Sequence, residues 1–256
     1  MYMVKKIATC ILLLSACSAL HAQNGPQLYN MDFDTWYKKG GEWRLCAKDD
    51  PESKQIWGTA NKGLSLLGVN ATMPESEFVA VEGPGKKACK MRSMKVLWAF
   101  AAGNLFNGKF LRLEGTSGAA INYGAPFTAR PAALEGYYCY LPQTINYVKA
   151  PYLDKKGTLD IGRVEVILAD WDEPFEISTT KDTFVDIEND PHIIGYAAIN
   201  LTETNDGYIH FTLPIEYRSG RSPKYAVIVA TSSTYGGYFT GGNGSTLYID
   251  EFSFKY

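Results

Sequence analysis

The densest group of acidic side chains is Asp170-Trp171-Asp172-Glu173, which directly follows a predicted strand. Hydrolysis of a glycosidic bond uses two carboxyl groups about 5–10 Å apart across the sugar, and the neighbouring tryptophan could stack on a sugar ring. Asp170, Asp172 and Glu173 are therefore the candidates for catalytic acids. A solvated loop has the same composition, and we favour that interpretation because a sequence does not fix the spacing of carboxyl groups in space.

A second candidate surface is the glycine-rich segment from Tyr235 to Ser245, YGGYFTGGNGS. Sugar binding typically uses exposed aromatic faces together with polar side chains. Two tyrosines flanked by glycines have few neighbouring side chains to bury them, although glycine loops are also plain connections. The ligand-binding candidates in this segment are Tyr235, Tyr238, Phe239 and Asn243.

Two further binding candidates lie outside that segment. Trp57 is surrounded by turn-forming residues, and a core position is equally compatible with its sequence context. Arg130 precedes Pro131, which restricts the backbone at this step. Its guanidinium could bind an acidic sugar, or it could hold Tyr137 or a carboxylate in place; we favour the structural role because arginine commonly serves in fixed ion pairs.

Asp34 and Asp250 are the candidates for a metal site. Calcium prefers hard oxygen ligands and takes six to eight of them, so one ion bound by both aspartates could tie the N-terminal and C-terminal strands together. The EF-hand pattern is absent from the sequence. No cofactor is predicted apart from this structural calcium.

The formal net charge of −2 bears on the class of partner. A groove that binds single-stranded nucleic acid needs a basic track besides its aromatic residues, and a near-neutral chain does not supply one. Aromatic residues make up 13% of the chain, including 17 tyrosines. A glycan or polysaccharide is therefore the expected partner, and nucleic acid is not.

The N-terminus is predicted to be a targeting segment. Lys5-Lys6 precedes the apolar run from Ile7 to Ala16, which is too short to span a bilayer. Ala19-Leu20-His21-Ala22 fits signal peptidase I, which predicts a signal peptide over residues 1–22. The alternative is a lipobox ending at Cys17, whose lipid would be the only membrane anchor. Either route exports the chain to the periplasm, the outer membrane or the exterior.

Residues 23–256 are predicted to form a single all-β domain, a β-sandwich. Many short alternating segments separated by Gly, Pro and Asn turns, without a long helical period, favour this class. Asn107-Gly108 predicts a hairpin with a type I′ turn. In the last strand the apolar phase shifts by one residue after Ile249, which predicts a β-bulge at Asp250–Glu251.

Six stretches of the sequence resemble a known family. They are residues 29–36 (YNMDFDTW), 57–63 (WGTANKG), 103–110 (GNLFNGKF), 126–131 (PFTARP), 136–140 (GYYCY) and 244–251 (GSTLYIDE). In this order they resemble the putative carbohydrate metabolism domain proteins of gut anaerobes. The resemblance implies a secreted or lipid-anchored sandwich similar to the jelly-roll carbohydrate-binding modules. Some members are labelled as glycoside hydrolases, and no catalytic residue is carried over from them.

Three functions follow as hypotheses. The first is a non-catalytic glycan-binding protein of the cell envelope, in which aromatic rings stack on sugars and polar groups bond their hydroxyls. The second is a glycoside hydrolase that uses a carboxylate pair near Asp170–Glu173. The third is a structural or adhesion domain that binds another protein. We expect binding without catalysis, and glycoside hydrolysis if the chain is an enzyme.

Overall fold

The computed structural model describes residues 25–97, 99–115 and 118–256. Within these residues two antiparallel sheets pack face to face, which confirms the predicted all-β, jelly-roll type of sandwich. The predicted signal peptide and Cys17 lie outside the described residues. No helix of the described part of the chain has the length and apolar character needed to cross a membrane.

The structure contains many short strands and very little helix. In chain order the strands are β1 (Tyr37–Lys39), β2 (Glu42–Arg44), β3 (Trp57–Gly58), β4 (Thr72–Glu75), β5 (Ala88–Arg92), β6 (Met94–Val96), β7 (Ala99–Ala101), β8 (Asn104–Leu113), β9 (Ala119–Tyr123), β10 (Ala125–Pro126), β11 (Ala133–Leu141), β12 (Gly162–Ala169), β13 (Phe175–Ser178), β14 (Ile193–Leu201), β15 (Ile209–Pro214), β16 (Glu216–Tyr217), β17 (Tyr225–Thr231) and β18 (Thr246–Lys255). The helix α1 covers Asn61–Leu64, and 3-10 turns lie at Glu52–Lys54, Ser65–Leu67, Leu153–Lys155 and Gly236–Tyr238.

The larger sheet has the strand order β13-β9-β8-β17-β12-β14-β16, with β3 paired to β8 and β10 paired to β17. The smaller sheet has the order β15-β11-β18-β5-β4, so the last strand of the chain lies at its centre. Two separate hairpins, β1–β2 and β6–β7, stand beside the sheets.

The core lies between the two sheets. Alternate residues of a strand point to opposite faces, and on β12 Val164, Val166 and Leu168 are fully buried in this core. Leu247 and Ile249 of β18 meet them from the smaller sheet. Arg163 and Glu165 consequently point to the opposite, outer face of the larger sheet.

The predicted bulge in β18 is confirmed. Tyr137 of β11 pairs with Asp250, whereas Glu135 pairs with Ser253. Between these two pairs β18 therefore contains one residue more than β11. Glu251 has a φ of 49°. The extra residue restores the buried phase, because Phe252 and Phe254 return to the core.

The predicted hairpin at Asn107-Gly108 is wrong, because both residues lie inside the continuous strand β8. Asn107 is fully buried, and its Oδ1 accepts a 2.8 Å hydrogen bond from the amide of Ile228. A Cβ atom on Gly108 would lie 1.9 Å from the carbonyl oxygen of Asn122. The asparagine side chain is thus hydrogen-bonded to the adjacent strand β17, and the glycine permits the close approach of β9.

Candidate functional site

The outer face of the larger sheet carries a polar row across four strands. The register aligns Asn104 of β8, Thr231 of β17, Arg163 of β12 and Asn200 of β14. Residues directly opposite each other on antiparallel strands point to the same face. All four side chains therefore share the face turned away from the core.

Arg163 is the centre of a hydrogen-bond network in this row. Its Nε lies 2.9 Å from Glu165 Oε2, its Nη1 donates to Asn200 Oδ1 at 2.8 Å, and its Nη2 donates to the Tyr196 hydroxyl at 2.6 Å. The Tyr196 hydroxyl also donates to Glu165 Oε2 at 3.2 Å. Burial opposes the charge on Arg163, but the charges and hydrogen bonds of Glu165 and Tyr196 together outweigh it, and the pKa of the guanidinium is raised. The network is therefore charged and fixed in place.

A cavity of about 550 Å³ opens on the same face, and we call it the outer-face cavity. Its volume falls within the roughly 300–1,000 Å³ of ligand pockets. Phe106 and Val229 belong to its floor, and residues of α1, the β6–β7 hairpin and the segment around Phe184 complete its lining.

The outer-face cavity has two chemically different ends. The polar end consists of Asn104, Thr231, Arg163 and Glu165, and the leucine end consists of Leu64, Leu67, Phe110 and Leu113. Phe110 follows Asn104 by six positions along β8, which corresponds to roughly 20 Å. The helix α1 borders the leucine end, since a Cβ atom on Gly63 would lie 3.2 Å from the Leu113 side chain. One cavity therefore offers charge at one end and mainly apolar surface at the other.

The glycine-rich segment from Tyr235 to Ser245, which we call the aromatic loop, lies at the rim of this cavity, where Phe239 is part of the lining. Distant residues pack on its tyrosines: the Tyr235 ring lies 4.5 Å from that of Tyr152, and Tyr238 stacks on Phe184 at 5.2 Å. The expectation that these tyrosines lack neighbours is therefore wrong, because the sequence shows only their local glycines. Burial and a 2.7 Å hydrogen bond to Asp182 raise the pKa of Tyr238 to about 12. Ligand binding by the three residues stays a prediction.

Asp160 holds the base of the aromatic loop, and the sequence gives no local signal for this role. The residue is fully buried. Its Oδ2 accepts hydrogen bonds from the Ser233 hydroxyl at 2.5 Å, the Gly242 amide at 2.7 Å and the Ser245 hydroxyl at 2.8 Å. Burial raises the pKa of Asp160, and these hydrogen bonds partly offset the shift.

Asn243 and Arg130 are not part of the outer-face cavity lining. Asn243 is exposed, and its Oδ1 accepts a 2.8 Å hydrogen bond from the amide of Lys95. The Arg130 guanidinium lies 4.1 Å from the centre of the Tyr217 ring, and its Nη2 donates to the Ser219 carbonyl at 2.9 Å. These contacts fit the structural role for Arg130, while ligand binding by either residue stays a prediction.

Trp57 belongs mainly to the core. It is 8% exposed, and its Nε1 donates to the Tyr29 carbonyl at 2.7 Å. The residue also borders a second cavity of about 380 Å³, which we call the polar cavity. Its other polar and aromatic lining residues include Glu42, Trp43, Arg44, Glu52, Gln55, Lys62 and Lys109. Thr59 and Phe110 line both cavities, so the two are neighbours.

The acidic candidates lie on the surface and line neither cavity. Asp170 contacts His192 Nδ1 and Arg221 Nη1, each at 3.1 Å. The Asp172 side chain is 94% exposed and pairs with Lys224 at 2.8 Å, which lowers its pKa. Glu173 is also exposed. The structure therefore places these carboxyl groups outside both cavities, and a catalytic role for them stays a prediction.

Asp34 and Asp250 lie near each other beside Lys86. The Lys86 ammonium is 2.9 Å from Asp34 Oδ2 and also bonds Glu251. Asp250 is buried and accepts backbone hydrogen bonds from Ala80 at 2.7 Å and Glu251 at 2.9 Å. Within the described ranges no group of three or more His, Cys, Asp or Glu is arranged to hold a metal. Calcium binding here stays a prediction, at a place where Lys86 supplies positive charge.

Known proteins resemble this chain at the level of family and fold. The family described as "Putative carbohydrate metabolism domain" matches residues 32–255. No curated protein matches the chain. The family match covers all the residues of the outer-face cavity.

Two solved structures from Bacteroides species have the same fold. One, from Bacteroides thetaiotaomicron, is described as a putative glycoside hydrolase; it is 23% identical with a TM-score of 0.67, over 91% of this chain and 72% of that chain. The other, from Bacteroides vulgatus, carries the same description; it is 19% identical with a TM-score of 0.60, over 86% of this chain and 93% of that chain. At these identities the likeness extends to the fold alone.

Proposed function

We propose that this chain, which belongs to the putative carbohydrate metabolism domain family, binds a glycan along the outer face of its larger sheet without cleaving it. The observation that carries the proposal is the fixed Arg163 network beside an aromatic-lined cavity on that face. A sugar needs both kinds of group, since its hydroxyls form hydrogen bonds and its ring faces pack on aromatic side chains.

The network retains groups that can bond a sugar. Asn200 is exposed and uses Oδ1 to accept from Arg163, so its amide nitrogen can donate to a hydroxyl. Glu165 uses Oε2 toward Arg163 and Tyr196, which leaves Oε1 as an acceptor. Because the network is already ordered, little side-chain entropy is lost when a ligand binds.

Hydrolysis is the second candidate function, because Glu42 and Glu52 both line the polar cavity. Glu42 pairs with Arg44 at 2.6 Å and Glu52 pairs with Lys109 at 2.5 Å. A general acid needs a raised pKa, whereas Lys109 lowers the pKa of Glu52. In the outer-face cavity, Glu165 is the only carboxylate among the described lining residues. Binding without cleavage is therefore the better-supported function.

A glycan array on the purified protein tests the proposal, followed by calorimetry on the glycans that bind. We expect Asn200→Ala and Tyr196→Phe each to weaken binding about tenfold, as for the loss of one or two hydrogen bonds. Asn243→Ala is the matched control on the aromatic loop and should bind within about twofold of the wild type. Binding that survives both outer-face changes but not Asn243→Ala would place the site elsewhere, and release of reducing sugar would favour hydrolysis.

A further inference from the structure

We infer that the glycan bound on the outer face carries an apolar group, an acyl or aryl substituent, which enters the leucine end of the outer-face cavity. The inference rests on the proposed function and specifies the class of ligand. It follows from the division of one cavity into a charged end and an apolar end.

The four side chains of the leucine end offer a sugar no hydrogen-bond partner, and the hydroxyl of Thr179 beside Leu113 already bonds the backbone of Ala119. Among the described lining residues, Arg163 and Glu165 are the charged ones, and both belong to the polar end. Sugar hydroxyls placed among Leu64, Leu67 and Leu113 would lose their bonds to water without replacement, which is costly. An unsubstituted sugar therefore fits the polar end and leaves the leucine end unused.

The free protein exposes leucine side chains to water at this place. Leu67 is 52% exposed and Leu113 is 53% exposed, and both line the leucine end. Exposed apolar side chains grouped around one opening indicate an interaction site. An apolar group bound there would remove their surface from water, which is the source of hydrophobic affinity.

The arrangement favours one amphipathic ligand over a purely apolar one. A purely apolar ligand that filled the cavity would cover the Arg163–Glu165 pair without bonding it, and covering charged groups in this way is unfavourable. A ligand with a sugar at one end and an apolar group at the other matches both surfaces. The roughly 20 Å along β8 between the two ends leaves room for both parts.

Alkyl β-glucosides from methyl to octyl test the inference by calorimetry below their micelle concentrations. We expect the affinity to rise about fourfold for each methylene that becomes buried. Leu67→Asp and Leu113→Asp should abolish this rise, since each places a carboxylate in the apolar lining. Leu66→Asp and Leu111→Asp are the matched controls, because these exposed leucines do not line the cavity; both should retain the rise. Circular dichroism verifies the fold of all four variants.

An affinity that does not change with chain length would overturn the inference, and so would an equal loss in the lining variants and their controls. The glycan array judges the proposed function separately. If glycans bind on the array but the affinity for alkyl β-glucosides does not change with chain length, only the apolar substituent is overturned and the proposed function stands. An array on which neither plain nor acylated glycans bind overturns the proposed function, and the inference with it.

Discussion

The carboxylate of Asp160 accepts a 2.7 Å hydrogen bond from the backbone amide of Gly242. The two residues are 82 positions apart in the chain, so this contact ties the segment before β12 to the loop before β18. The same carboxylate oxygen also bonds Ser233, just before the aromatic loop, and Ser245, its last residue. The rim of the outer-face cavity is therefore fixed by one buried side chain that lies outside the cavity lining.

Asp160→Ala should lower the free energy of unfolding by about 3–5 kcal/mol, because several buried donors would lose their acceptor at once. Urea unfolding measures the change. Asp154→Ala is the control, since its side chain is 67% exposed and, within the described part of the chain, its ion pair is with the adjacent Lys155; it should change the free energy of unfolding by less than about 0.5 kcal/mol. Equal effects of the two substitutions would contradict the role of Asp160.

Gly241→Ala should destabilise the protein by about 1–3 kcal/mol through overpacking. A Cβ atom at this position would lie 2.4 Å from the ring of the buried Phe100 and 2.7 Å from the Ser233 hydroxyl. Gly207→Ala is the matched control, because no atom lies within 4 Å of the added Cβ. Thermal unfolding should show a lower midpoint for Gly241→Ala alone, and two unchanged midpoints would show that the loop adapts.

Tyr238→Ala should weaken glycan binding about tenfold, which corresponds to about 1.4 kcal/mol. It removes both the stacking on Phe184 and the hydrogen bond to Asp182. Tyr238→Phe keeps the ring and should bind within about threefold of the wild type, as should Asp182→Ala. If Tyr238→Phe binds as weakly as Tyr238→Ala, the hydroxyl rather than the ring is the important group.

Titration of the Asp250 carboxyl group should lower the free energy of unfolding as the pH rises from about 4 to 7. Burial raises the pKa of Asp250 from its ordinary value of 3.8 to about 6, so within this interval the folded state holds the proton more tightly than the unfolded state. Stability falls with pH wherever the folded state binds more protons. Asp250→Asn lacks this titration. Between pH 4 and 7 the free energy of unfolding of the wild type should therefore fall by roughly 1–3 kcal/mol more than that of the variant. Urea unfolding at pH 4.5 and 7.5, with a chelator present, provides the test.

Alternation of apolar and polar residues was sufficient to predict the sandwich and the bulge in β18. Both depend on a local period of two residues, which a sequence displays directly. The hairpin predicted at Asn107-Gly108 was wrong because the same dipeptide can occur either in a turn or inside a strand. A turn needs its positive φ values, whereas here the glycine makes room for Asn122 and the asparagine bonds Ile228.

The site was harder to predict than the fold, because its groups meet only through strand register. Arg163 and Asn200 are 37 positions apart and face each other only because β12 pairs with β14. The packing of Tyr152 on Tyr235 likewise has no counterpart in the local sequence. The glycine-flanked tyrosines did identify a segment that borders the cavity, through Phe239 and its neighbouring glycines.

The central position of β18 has a consequence for the order in which the chain can fold. The ribosome makes this strand after every other strand of the sandwich, yet β11 and β5 both pair with it. Until it is made, the facing edges of those two strands have backbone donors and acceptors without native partners. A growing chain therefore cannot complete its smaller sheet, and the domain reaches its native state only after synthesis of the last strand.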